Sequence, residues 1–442
     1  MPTSGGKSWT ANIANDETSI AAASLLRLLG GVAVATNADN ENVQPLAQWL
    51  RHYSTSAHDF ALPIGKWWTA FTFSSENNKP GIHQLAQVTL AVALLQEKAR
   101  RGLEVDAASL DIIWGLIHEA IVGAQETKLQ FLVSRNAQGF LAVPLCSLIQ
   151  EGRIEELWRL HTWLPDGQRG DPEVRIHAHQ PFGQSWSLLG SGTNCEFKVD
   201  SPDDASLTTH AAYECCYTYT GEHDSRTGPG FLQMRSTIRS TGRLVRVTPV
   251  SRELHTRDMS YSVPAGAYHQ STVSGSRMHA TLFVFDAHRG YDDNAAVLGP
   301  KDGNGLAESG DADGITPQAL ARTVDAVRDW EKEQEVMLGG NDEHPTVIGY
   351  YRFFCGSGLL QAGRREDALQ YFNPPKGGTP AHAFAREPSQ QHRAYIKTLI
   401  EAGADLGLVD EAGFTALDYA VQNGDAETEA LLCGQPSAKA RA

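Results

Sequence analysis

The chain has 442 residues, of which 41% are hydrophobic and 20% charged, and a formal net charge of -15 with no block of lysine or arginine. That length exceeds one ordinary core and points to roughly two to four domains. The acidic balance leaves no source for phosphate neutralisation or attraction to an anionic surface, which excludes nucleic acid and membrane partners and favours small molecules or proteins.

Cys146, Cys195, Cys215, Cys216, Cys355 and Cys433 show no Cys-x-x-Cys spacing. Neither a zinc ribbon nor a disulfide framework is expected, and a reducing, cytoplasmic setting is. The apolar run from Ile20 to Ala35 is interrupted by Arg27 and preceded by Asp16 and Glu17, so it reads as an amphipathic helix rather than a signal segment. The run from Leu85 to Leu95 falls short of the roughly 20 residues of a membrane span.

From about Thr18 to Leu160 the periodicity is helical. Pro80 marks one helix start and Gly102, just past Lys98 to Arg101, its stop, while Asp106 is placed to cap a second helix through Ile112, Leu116 and Ile121. Trp67, Trp68 and Phe71 are expected to be core. Near Leu160 the pattern turns to alternation, with strands expected at Ser185 to Leu189, Cys195 to Val199, Tyr213 to Tyr219, Phe231 to Arg239, Leu244 to Val250 and Ala280 to Phe285. Many short strands separated by turns point to a β-barrel or sandwich. Gly290 to Gly314 reads as a loop, followed by a helix from Pro317 to Leu338.

Near the C-terminus, Gly378-Thr379-Pro380-Ala381-His382-Ala383-Phe384-Ala385 is answered about one repeat length later by Gly413-Phe414-Thr415-Ala416-Leu417-Asp418-Tyr419-Ala420. Between them lies Leu399-Ile400-Glu401-Ala402-Gly403-Ala404-Asp405. These strings resemble ankyrin repeats, which implies a possible protein partner and gives His382 a structural role. Two repeats need a neighbour to bury their open face, and Phe353 to Tyr371 is expected to supply it as a helical hairpin.

The candidate chemistry lies in the β-region. His177-Ala178-His179 places two imidazoles on one face of an extended segment, where they can share a metal. Chance can supply such a pair among 16 histidines, so a third ligand decides its weight. His269 provides it, closing Pro264-Ala265-Gly266-Ala267-Tyr268-His269, a string that turns out of one β-run and delivers a histidine into the next. Tyr268 then points away from the metal side. No Gly-x-Gly-x-x-Gly, Walker loop, Gly-x-Ser-x-Gly or His-Glu-x-x-His string supports a nucleotide, esterase or zincin reading.

The ordered pair His-x-His and Pro-x-Gly-x-x-His resembles the cupin superfamily. Gln184 stands where those proteins carry a glutamate, and is expected to hold a ligand or water by hydrogen bond; Glu196 is a possible replacement fourth ligand. The long interval before His269 is attributed to inserted strands around Cys215 to Pro229. A three-histidine centre is similar to that of the thiol dioxygenases, although Thr281-Leu282-Phe283-Val284-Phe285 replaces their Ser-x-His-x-Tyr relay and no thiol substrate is implied.

The resemblance implies a non-heme iron(II)-dependent oxygenase of a small organic molecule, with dioxygen as co-substrate and another divalent first-row metal as an option. Two alternatives stay open: an isomerase or lyase using the ion as a Lewis acid, and a non-catalytic cupin–ankyrin interaction protein. The expected architecture is a multidomain α+β chain. Residues 1–160 form a helical domain, 161–290 a cupin-like β-barrel or sandwich with the metal site, 291–346 a linker and helix, and 347–435 the helical hairpin with ankyrin-like repeats.

Overall fold

A computed structural model describes residues 9–56, 60–73, 79–151, 153–219, 234–303, 310–311, 314–334 and 344–433. The chain divides into two compact units: Met1–Trp163 with Gln168–Ser274 and His279–Asp311, and Leu164–Gly167 with Gly275–Met278 and Ala312–Ala442.

The first unit opens with helices α1 (Trp9–Ile13), α2 (Ala22–Ala35), α3 (Asn40–Ser56), α4 (Ile64–Phe73), α5 (Pro80–Arg100) and α6 (Ala107–Gly123), and the short paired strands β1 (Ser19–Ala21) and β2 (Ala61–Pro63). Pro80 takes the first turn of α5, and the Asp106 carboxylate accepts from the Ser109 amide to cap α6 as expected. Trp67 and Phe71 are buried beside Trp49, and the Trp67 indole N–H donates to the Ile20 carbonyl.

The helical stretch ends earlier than the periodicity indicates. β3 (Ser134–Arg135), β4 (Leu141–Gln150) and β5 (Arg153–Trp163) are strands. β4 reads Leu-Ala-Val-Pro-Leu-Cys-Ser-Leu-Ile-Gln and is buried on both faces, so the alternation that betrays a half-exposed strand is absent.

β6 (Pro181–Asp200), β7 (His210–Tyr219), β8 (Met234–Thr256), β9 (Ser260–Val263), β10 (Tyr268–Thr272), β11 (His279–Tyr291), β12 (Val297–Gly299) and β13 (Gly310–Asp311) complete an antiparallel sheet of 11 strands. Its order is β12-β7-β8-β6-β11-β5-β4-β3-β13, with β9 and β10 also paired to β6. The path ends at β12 and β13, so among the described residues the hydrogen-bonded ladder is not a closed barrel.

Two expected strands fuse in β6. Gly190, at φ 68°, absorbs the bend where a turn was expected, and the strand continues through Gly192. Gly183 to Trp186 then lie between β11 and β9, and Thr193 to Phe197 between β8 and β10. The expected strands at Phe231 and Leu244 likewise fuse into β8, whose described part begins at Met234. Residues 220–229 of the expected insertion lie outside the described residues, as do 304–309 and 312–313 of the expected loop. The remainder of that loop supplies the end of β11 and the two edge strands, β12 and β13.

Helices and sheet of this unit are joined by a buried charge cluster. Glu156 on β5 is fully buried and meets the guanidinium groups of Arg27 on α2 at 2.5 Å and Arg100 on α5 at 2.8 Å. Arg100 also reaches Asp286 on β11 at 3.2 Å, and Gln96 and Trp158 donate to Glu156.

The second unit is helical: α7 (Pro317–Glu333), α8 (Pro345–Gln361), α9 (Arg365–Phe372), α10 (Pro380–Arg386), α11 (Gln390–Ala402), α12 (Ala416–Gln422) and α13 (Ala426–Cys433). The described part of the expected Pro317 to Leu338 helix is α7, and 335–338 lie outside the described residues. Helices α8 and α9 form the expected hairpin. His382 Nδ1 accepts from the Thr379 amide at 3.0 Å, so its Nε2–H donates to the Phe414 carbonyl at 2.9 Å, stitching one repeat to the next.

Candidate metal centre

His177 and His179 lie in an extended segment after a 3-10 turn at Pro172–Val174, not in a long strand. The segment is held on both sides. His177 exchanges backbone hydrogen bonds with His269 of β10 at 3.0 and 2.9 Å, and its neighbours bond Ala296 and Leu298 at 2.9 and 2.8 Å. Residues directly opposite in an antiparallel pair share a face, so the His177 and His269 rings emerge together, and His179 follows two residues on.

The turn before β10 is fixed by the Ala267 amide donating to the Pro264 carbonyl at 3.1 Å. Gly266 there has φ 73°, and a Cβ on it would lie 2.1 Å from an Asp292 carboxylate oxygen. Its amide donates to the His179 carbonyl at 2.9 Å, so the turn that presents His269 also anchors His179. Tyr268 points the other way, its hydroxyl taking a bond from Arg243 at 3.1 Å.

The three side chains converge. His179 Nε2 lies 3.0 Å from His177 Nε2 and 3.4 Å from His269 Nε2, and the three histidines each offer a ring nitrogen within 4.8 Å of the others. His177 Nδ1 donates to the Arg175 carbonyl and His269 Nδ1 to the Asn194 side-chain oxygen, each at 2.8 Å. Since both partners only accept there, both Nδ1 atoms carry the proton and both Nε2 atoms present lone pairs to the centre. Burial lowers the pKa of His177 and pushes those of His179 and His269 well below the usual histidine range, the neighbouring imidazoles adding to it for the latter two. All three are therefore neutral at neutral pH, the form that ligates metal.

Imidazole nitrogens holding a divalent ion at about 2.0–2.1 Å stand about 2.9–3.4 Å apart at adjacent positions. The two Nε2 separations fall within that span. Converging lone pairs repel in a dry site unless a cation or proton lies between them, and His179 Nδ1 is buried without a hydrogen-bond partner. The donor set fits a first-row divalent ion.

Asn194 escaped sequence reasoning because only the pairing of β6 with β10 sets it behind His269; the string carries no signal for it. Replacing Asn194 with leucine removes the acceptor that orients the ring, and divalent-metal affinity is expected to fall about 10–100-fold. Competition against a chromogenic chelator checks this, and unchanged affinity would remove Asn194 from the site.

The structure does not bring Gln184 to the centre. Its side chain takes a hydrogen bond from Arg289 at 2.5 Å, whereas the adjacent Ser185 lines the cavity beside the histidines. Gln184 occupies the position where the resembling proteins carry a glutamate, but in β6, which begins at Pro181, it is Ser185 that faces the cavity. Glu196 is opposite His269 in register yet exposed, accepting from the Ser251 hydroxyl at 2.9 Å, so it is not a fourth ligand in this arrangement.

The histidines line a cavity of about 300 Å³. Its opposite wall is the inner face of β5 and β11, where Arg159, His161, Thr281, Phe283 and Phe285 face inward. Among the described residues these three histidines are the metal-capable cluster, and no helix is long and apolar enough to cross a membrane.

Comparison with known proteins bears on the C-terminal end. Residues 381–432 match the family model for ankyrin repeats (many copies). Those residues are ankyrin repeats. No curated protein matches the chain in sequence. Among solved structures, an 11S globulin from Wrightia tinctoria, described with an auxin binding site, is similar at 10% identity and a TM-score of 0.18. That likeness covers 35% of this chain and 30% of the globulin chain, and is too slight to argue from.

Proposed function

We propose that the first unit is a cupin-type, iron(II)-dependent oxygenase acting on a small organic molecule. The observation that supports this reading is the convergence of three neutral imidazoles, two with their outer nitrogens pinned, on one cavity. His177, His179 and His269 would hold the ion. A bound iron(II) supplies Lewis acidity and one-electron chemistry with dioxygen, and three neutral ligands leave its positive charge undiminished.

The protein's own residues do the rest. Arg175 and Asn194 fix the ligand tautomers, Phe283 and Phe285 exclude water beside His179, and the inner face of β5 presents polar groups to a substrate. Protein loaded with iron(II) is expected to consume dioxygen in the presence of members of a panel of small organic acids. Turnover that persists under strict anaerobiosis would replace oxygenation with the isomerase or lyase reading, and failure to bind any divalent ion would end both.

The ankyrin repeats support a second, compatible role in docking a protein partner. A cytoplasmic setting belongs to the same reading, since Cys146, Cys195, Cys355 and Cys433 are free thiols.

A further inference from the structure

We propose that His161, with Arg159 beside it on the same face of β5, is the substrate-binding group of the cavity and takes the oxyanion of a small organic acid with an apolar body. The proposal rests on the reading above for the neighbouring metal, while the contact itself is made by β5 alone.

His161 is 6% exposed, and its Nε2 is buried with no hydrogen-bond partner in the protein. An imidazole nitrogen left bare in a dry site costs stability, which is recovered when a ligand occupies it. The ring is clamped between Phe140, at 4.1 Å between centroids, and Phe283, at 4.9 Å. Phe283 also meets the edge of His179 at 5.8 Å, so one phenyl ring separates His161 from the metal-binding side.

Polarity selects the ligand's charge. Burial and the Arg159 guanidinium both hold the His161 imidazole neutral, and the tautomer with its proton on Nε2 donates to an oxyanion next to a cation. The carboxylates at the cavity wall are otherwise engaged: Glu214 pairs with Arg239 at 2.7 Å and Asp293 with Arg153 at 2.8 Å, all largely exposed. Beside His161 the charged group on the same strand face is the Arg159 guanidinium, and in a low-dielectric cavity a neighbouring cation favours an anionic ligand. Phe140, Phe283, Phe285 and Leu157 supply apolar wall for the remainder of the ligand.

The test is calorimetric titration of the full-length protein with phenylacetate and with its neutral isostere phenylacetamide, in chelator-treated and metal-loaded forms. Phenylacetate is expected to bind at least tenfold more tightly than the amide in both forms. His161→Leu should lose that preference at least tenfold while metal content stays unchanged, and His161→Gln, which keeps an N–H donor, should recover part of it and serves if the leucine variant does not fold. Equal affinity for the two ligands, no binding of phenylacetate, or an unaltered preference in His161→Leu overturns the proposal. If no metal binds and the preference persists in the chelator-treated protein, the β5 site stands and the oxygenase reading falls.

Discussion

Replacing His269 with alanine is expected to abolish tight divalent-metal binding, lowering affinity by more than the roughly 100-fold upper range seen when a supporting hydrogen-bond partner is lost. The reason is geometric as well as chemical. His269 contributes one lone pair, and its ring is the one held by a buried side-chain amide, so its loss leaves His177 and His179 as a two-nitrogen chelate. The same change removes a stability increment. Metal at about 100 times its dissociation constant stabilises the native state by roughly 2.7 kcal/mol, and thermal unfolding with and without added ion should show that gain in the natural protein and not in His269→Ala. A variant that retains the gain would show that the ion binds elsewhere.

Glu156→Ala is expected to cost about 3 kcal/mol of stability to chemical denaturation. The carboxylate is fully buried, and its removal leaves Arg27, Arg100, Gln96 and Trp158 facing a void where they had an acceptor. Both guanidinium groups are about one third exposed, which allows water to repair part of the damage and puts the expectation at the lower end for a broken buried pair. Glu156→Gln keeps an acceptor for Trp158 and should lose less. A cost under about 1 kcal/mol for the alanine variant would mean that helices α2 and α5 are held to the sheet by apolar packing alone.

The candidate ligands were legible because both strings are local. His-x-His needs only extended backbone, and Pro-x-Gly-x-x-His carries its own turn, with Gly266 in a conformation that other residues rarely adopt. Helices α5 and α6 and the ankyrin strings were legible for the same reason: Pro80 itself starts α5, and Asp106 and Thr379 each accept from an amide three positions on.

What escaped reading depends on register. Gln184 was placed at the centre by its position in the motif, but the alternation of β6, set by its pairing with β9 and β11, turns the side chain to Arg289. Asn194 reaches His269 only through strand pairing 75 residues apart in sequence. β4 and β5 were read as helix because both are buried along most of their length, leaving too little apolar–polar alternation to separate the two periods. His161 was invisible for the same reason, since its importance comes from Phe140 and Phe283 on either side of it.

The backbone bridges at His177 give the centre a mechanical meaning. The segment from Ile176 to Ala178 is stitched to β10 and to the region of β12 by four hydrogen bonds, and no ladder extends beyond them. Chelation by side chains at 177 and 269 would therefore act as a clasp across a seam that the main chain leaves thin. An ion held there would set whether the two edges of the cavity behave as one wall or as two.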